Sequence, residues 1–246
     1  MSRLKELGQT AVAITDHGAM YGVMKMYNSA IAAGIKPIIG CEVYVAPRTR
    51  FDKTYELDSG YSHLLLLCKD NVGYHNLVKL VSRGFTEGFY GKPRVDMELL
   101  EKYSEGLICL SACLAGAIPR RLLLDDYDGA LEYAKKLNSV YGDGNFFLEI
   151  QDHGLAEQKK VNRGLIRISR ETGIELVATN DVHYLTKEQS EIQDVLLCIQ
   201  TNKTLDSPDR MRFESNEFYV KSEAEMSALF PSLPQAIENT QKIADM

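Results

Sequence analysis

The apolar positions of the chain fall into short runs separated by longer segments with helical spacing. Ala11–Ile14 is a mostly apolar run leading straight into Thr15-Asp16-His17-Gly18. That is the pattern of a buried parallel strand whose carboxyl end opens onto a site. Residues 20–33 carry apolar side chains at 20, 23, 24, 27, 30 and 31 and stop at Gly34, which predicts a helix. Apolar runs predict further strands at 37–45, 63–68, 107–113, 146–150 and 175–178. Helical spacing predicts helices at 74–81, 97–103, 117–124, 127–141, 157–172 and 188–201. Residues 47–60 read as a polar excursion or hairpin, and 84–93 as a Gly-rich aromatic loop. Strand and helix alternate without internal repeat or low complexity, which indicates an α/β fold with a parallel sheet or barrel.

The tail reads differently. Residues 207–220 are polar with short β-like pieces at 212–213 and 217–220. Ser222 followed by Glu225 is a capping-box start for a helix at 222–229, broken by Pro231 and Pro234, and 236–244 begins a last helix. The expected organisation is one domain over 1–205, then a linker and helices over 206–246 leading toward a further domain.

Composition narrows the classes. The net charge of −6 excludes a chain that is basic as a whole and binds nucleic acid for that reason. Five cysteines, an odd number with no CxxC pair, argue against a disulfide framework and for a reducing, cytoplasmic setting. No apolar run approaches the ~20 residues needed to span a bilayer. Residues 1–8 lack the apolar stretch of a signal peptide and read as the last turns of a helix stopped at Gly8. A domain seldom starts halfway along a helix, so the chain is expected to be the remainder of something longer.

Chemistry concentrates at strand ends. The run at 175–178 leads into Thr179-Asn180-Asp181-Val182-His183, so two apolar strands each end in an Asp and a His. Carboxyl ends of parallel strands gather on one face, and imidazole with carboxylate is a ligand set for zinc or a similar divalent ion. Asp181 and His183, two apart in an extended segment, point the same way. Glu42 lies among Ile38, Ile39, Val43 and Val45, where a carboxylate needs a metal or another cation; a buried salt bridge serves equally well. His17 alone is as well explained by a hydrogen bond, and Asp16 by capping the next helix. His63 opens a strand, and Cys113 suits a small buried hydrophobe. His153, in Asp152-His153-Gly154, repeats the shape of the first motif, while His75 falls on a helix surface.

Thr15-Asp16-His17-Gly18, Gly40-Cys41-Glu42-Val43-Tyr44 and Asn180-Asp181-Val182-His183-Tyr184 resemble three motifs of the PHP (polymerase and histidinol phosphatase) domain. The stretches 34–42, 88–94 (Gly-Phe-Tyr-Gly-Lys-Pro-Arg), 105–108 and 212–219 are similar to the N-terminal region of the bacterial DNA polymerase III alpha subunits, the replicases. The resemblance covers essentially the whole chain. It implies a distorted PHP-type (β/α)7 barrel with a metal cluster at its C-terminal face. Carried over by motif, the ligands are His17, Glu42, His63, Cys113, Asp181 and His183. Glu42 and Asp181 are the carboxylates on which catalysis depends, Asp16 orients an imidazole or caps, and His153 drops out. Glu42, His63 and Cys113 would form one fairly complete metal position. The family's opening His-x-His motif and first barrel strand are missing, so an open edge is expected beside Ala11–Ile14, along with partial occupancy by zinc or manganese.

The function implied is that of a PHP portion of the replicase, in DNA replication. The intact protein would carry a metal-dependent phosphoesterase, a 3′–5′ exonuclease, beside a polymerase (nucleotidyltransferase) active site in a palm domain that this chain lacks. Little or no nuclease activity and no polymerisation are expected of the chain alone. The implied partners are the rest of the alpha subunit, DNA through the intact replicase, and a proofreading exonuclease subunit, with no membrane. A non-catalytic module bracing the polymerase is the alternative. A free-standing PHP phosphatase is weaker, because the replicase-like stretch at 212–219 argues against it.

Overall fold

In Phe146-Phe147-Leu148-Glu149-Ile150, successive side chains serve two different cores. Phe146, Leu148 and Ile150 face outward into the larger core, while Phe147 faces inward into a smaller one. The same alternation holds for Leu64 and Leu66 against Leu67, and for Leu107 and Cys109 against Ile108 and Leu110. The sheet is thus covered on both sides, which is why its strands read as unbroken apolar runs.

The computed structural model describes residues 1–246. The strands are β1 (Ala11–Ile14), β2 (Lys36–Val45), β3 (Ser62–Cys68), β4 (Arg94–Val95), β5 (Leu107–Leu110), β6 (Phe146–Ile150) and β7 (Leu176–Ala178). Helices α1 (Ser2–Glu6), α2 (Val23–Ala33), α3 (Tyr55–Asp58), α4 (Asn71–Thr86), α5 (Met97–Lys102) and α6 (Ala117–Leu123) lie between or before them. The remaining helices are α7 (Tyr127–Tyr141), α8 (Ala156–Thr172), α9 (Ser190–Thr201), α10 (Glu223–Leu229) and α11 (Pro234–Asp245). The outer core is filled from α4, α7 and α8 by residues such as Leu77, Leu137 and Leu165.

The sheet order is β1-β2-β3-β5-β6-β7, with β4 paired to the far end of β2. The sheet is not wholly parallel as expected: β3 runs antiparallel to both β2 and β5. The segment between β2 and β3 contains only the single-turn α3 rather than a crossover helix, and without a crossover the next strand returns antiparallel. β5 also stops at Leu110, short of the expected 113, because Ala112 adopts φ 65° and turns the chain out of the sheet. No strand forms at 212–213 or 217–220; a single bridge joins Tyr219 to Tyr184.

β1 and β7 end the sheet, so the expected barrel is a curled, open one, with an edge at β1 as expected. α11 lies across the seam. Asn239 Nδ2 donates to Leu176 O of β7 at 2.8 Å. Lys36 Nζ at the start of β2 donates to Ala244 O, and Ile243 enters the inner core. Gln9 Nε2 donates to Lys221 O at 2.9 Å. Residues 206–246 thus contain the two expected helices, with α11 packed on β7 and α10 against α11.

Candidate metal centre

Above the inner apolar core, the inward-facing positions turn polar. Along β2 they run Ile38, Gly40, Glu42, Tyr44; along β3, in reverse, Leu67, Leu65, His63. The reversal of β3 is what brings His63, at its amino end, level with the carboxyl ends of its neighbours. The backbone of His17 extends β1 and bridges in parallel to Glu42, with Gly18 N donating to Glu42 O at 2.8 Å. His63 N donates to Ala115 O at 3.0 Å, which pins the loop carrying Cys113 beside it.

Glu42 Oε1 lies 2.8 Å from His17 Nδ1 and 2.5 Å from His63 Nδ1. Neither contact has hydrogen-bond geometry, so this buried oxygen has no hydrogen-bond partner. One ligand atom from each of the three residues lies within 4.8 Å of the other two. Cys113 Sγ is 3.8 Å from His63 Nδ1. The ring of His183 is 6.0 Å from that of His17, and its Nδ1 is 3.8 Å from Asp181 Oδ1. All six expected residues are therefore gathered on one face, and the tightest trio is His17, Glu42 and His63 rather than Glu42, His63 and Cys113. The difference arises because His17 is paired to Glu42 through the backbone. Asp181 holds φ 43°, in the left-handed region that Asp adopts more readily than most non-glycine residues.

Electrostatics point the same way. Burial pushes Glu42 upward, but the two imidazoles more than reverse this and hold it at about 2. Contact with Glu42 raises His17 above its ordinary value. Burial, with Asp181 and Glu42 nearby, raises the Cys113 thiol, and burial raises Asp181. Buried anionic donors that raise one another are stabilised together by a cation. Nitrogen, oxygen and sulfur donors around an orphaned carboxylate oxygen fit a divalent ion.

The family model for the PHP domain matches residues 1–153. The chain belongs to the PHP family. DNA polymerase III subunit alpha of Treponema pallidum (strain Nichols) is 50% identical over 241 residues, covering 98% of this chain and 21% of that protein. The same subunit of Borreliella burgdorferi is 45% identical over 246 residues, 100% of this chain and 21% of that one. That of Thermus aquaticus is 49% identical over 241 residues, 96% and 20%. The chain spans about a fifth of the length of these relatives.

Other polar residues of this PHP domain have separate work. Asp16 Oδ2 accepts from Gly22 N at 3.0 Å, just before the start of α2. His153 is buried with both ring nitrogens engaged, Nε2 with Asn180 O at 3.0 Å and Nδ1 with Gln158 Nε2 at 2.7 Å. It stacks on Phe218 with no lone pair free for a metal. His75 is exposed on α4.

Two residues escaped the sequence reading. Glu149, 5% exposed, occupies the next inward position of β6 above Phe147. Its Oε1 accepts from Thr179 Oγ1 and Gln151 Nε2, and its Oε2 has no partner. Burial raises it to about 7. The signal that marked Glu42, a carboxylate inside an apolar run, marks Glu149 as well. Tyr44 is the other: its ring lies 5.3 Å from that of His63 and 6.4 Å from that of His17.

Proposed function

We propose that the chain is the PHP part of a bacterial replicative DNA polymerase alpha subunit, and that its strand-end site is a divalent-metal phosphodiesterase trimming DNA 3′ ends. The observation that carries this reading is the buried Glu42 oxygen, approached by two imidazole nitrogens and hydrogen-bonded by neither. His17, Glu42, His63, Cys113, Asp181 and His183 would hold zinc or manganese. Such an ion supplies Lewis acidity and a bound water of lowered pKa. Glu42 and Asp181 give the site its fixed negative charge, and Tyr44 walls the imidazoles on one side. Residues 1–205 form the PHP domain in this reading, and 206–246 the passage to the rest of the subunit. Through that subunit the site meets DNA.

The test is digestion of a 3′-mismatched, end-labelled primer by the whole alpha subunit with manganese or zinc. Metal-dependent shortening that is lost in Asp181→Asn and Glu42→Gln supports the reading. Digestion that survives both substitutions rejects it.

A second reading rests on α9. Ile192, Val195, Leu196 and Ile199 are exposed along one side of this helix, next to exposed Val182 and Leu185. An apolar face of that kind suits docking, either of the rest of the subunit or of a proofreading exonuclease subunit. An alpha subunit with full metal occupancy and no nuclease activity would favour this bracing role.

A further inference from the structure

The loop 88–93 was singled out in the sequence, and the metal-holding set does not use it. Arg94, which follows it, is fully buried and has no carboxylate partner. Its guanidinium donates instead to backbone carbonyls: Nη1 to Asp58 O at 2.7 Å, Nη2 to Asp52 O at 2.9 Å and Nε to Gly88 O at 3.2 Å. Burying a charge this way is costly, and these charge-assisted hydrogen bonds to carbonyls offset the cost. Together they fix the path of the loop. Arg94 and Val95 pair as β4 with Tyr44 and Val45, and Tyr90 N donates to Lys92 O at 3.0 Å.

Lys92 is consequently held over Tyr44, with its Nζ 5.4 Å from the ring centroid. The same ring borders His63 and His17. A Cβ added at Gly18 would lie 2.7 Å from the Tyr44 ring and 3.0 Å from Pro93, so the His17 turn and the Lys92 loop are in direct packing contact. The Lys92 charge reaches His17 and lowers its proton affinity. Other half-buried or buried lysines of the chain have acidic partners, as Lys221 does in Glu217. Lys92 is half-buried, forms no ion pair and has only the Tyr44 ring face beneath it.

We propose that Lys92 is an oxyanion-binding residue of this site, taking a non-bridging oxygen of a phosphate ester while Tyr44 holds its stem in place. The inference rests on the phosphodiesterase reading and adds a subsite outside the metal-holding set. An ammonium fixed beside an otherwise anionic pocket is what a phosphate diester needs to approach it. Lysine, a compact point charge, suits an oxygen whose position changes during reaction better than a bidentate arginine does.

The first experiment labels lysines of this chain with pyridoxal 5′-phosphate and borohydride, with and without inorganic phosphate, and maps them by mass spectrometry. Phosphate is expected to slow labelling of Lys92 about tenfold, as one charge-assisted contact predicts, and to leave exposed Lys53 unchanged. No protection at Lys92, or equal protection at Lys53, overturns the proposal. The second measures inorganic phosphate binding to the manganese-loaded chain by phosphorus relaxation. Lys92→Ala is expected to weaken phosphate about tenfold and Lys92→Arg by less, with manganese affinity unchanged. Unchanged phosphate affinity in Lys92→Ala overturns the proposal. Manganese affinity, measured separately by dialysis, tests the metal reading by itself. If manganese fails to bind while phosphate still protects Lys92, the metal reading falls and the anion subsite stands.

Discussion

Glu42 and Glu149 stand on the same inner face of the sheet, and burial pushes the proton affinity of both upward. They end at opposite values because their neighbours differ. Two imidazoles carry Glu42 down to about 2, whereas Glu149 has only a hydroxyl and an amide beside it, with the charges of Asp181 and Glu42 nearby, and stays at about 7. Glu42→Gln is therefore expected to weaken zinc or manganese binding at least about 100-fold, beyond the usual cost of losing a supporting residue. Titration calorimetry checks this, with circular dichroism showing the fold retained. For Glu149 the native pKa lies above its ordinary 4.5, so the folded state binds the extra proton between pH 4.5 and about 7. Stability of the metal-free chain should fall as pH rises through that window. Glu149→Gln cannot titrate and should be the more stable form at pH 8, by up to about 3 kcal/mol. Urea midpoints at pH 5 and pH 8 in chelator measure it; parallel behaviour of the two proteins would mean that Glu149 is ionised and satisfied. That the six expected residues share one face of the sheet was legible, because each lies within or at an end of an apolar run. The placement of Lys92 was not, since nothing local shows that a loop lysine will lie over Tyr44, 48 positions upstream.

Among the elements, those with strong periodicity were legible to within a few residues. α10 begins at the expected cap, with Ser222 Oγ accepting from Glu225 N and Glu225 Oε2 accepting from Ser222 N. The direction of β3 was not legible, because alternation carries no sense of direction and the connection decides it. The end of β5 depends on one backbone angle at Ala112. The short pieces at 212–213 and 217–220 have β-like composition, but Asn180 Nδ2 holds the second of them through Glu217 O and Tyr219 O instead of a ladder. The element with the most concentrated anchoring is β4. Arg94→Met would leave several buried carbonyls without donors and should cost about 3 kcal/mol, read as a shift in urea midpoint. Hydrogen exchange should quicken in residues 88–93 before the rest of the sheet. Exchange that quickens uniformly would mean that Arg94 supports the whole core rather than the loop.

At the scale of the molecule, an open sheet is closed by a helix that no local pattern tied to it. Asn239, 1% exposed, is the polar pin of that closure. Asn239→Ala should leave Leu176 O unpaired and lower stability by about 1–3 kcal/mol, with faster exchange along β7. A loss confined to α11, with β7 unaffected, would show that the helix only rests on the sheet. The seam has a consequence for how the chain is made. The hydrogen bonds Gln9–Lys221 and Lys36–Ala244 join residues 212 and 208 positions apart. At the ~5–20 residues per second of ribosomal synthesis, β1 and β2 wait roughly 10–40 s for α11 to emerge. Through that interval one strand edge and part of the inner apolar face have no native cover. The ribosome thus delivers this sheet as an unfinished cylinder, and holdase chaperones have most to protect in the seconds before α11 is translated.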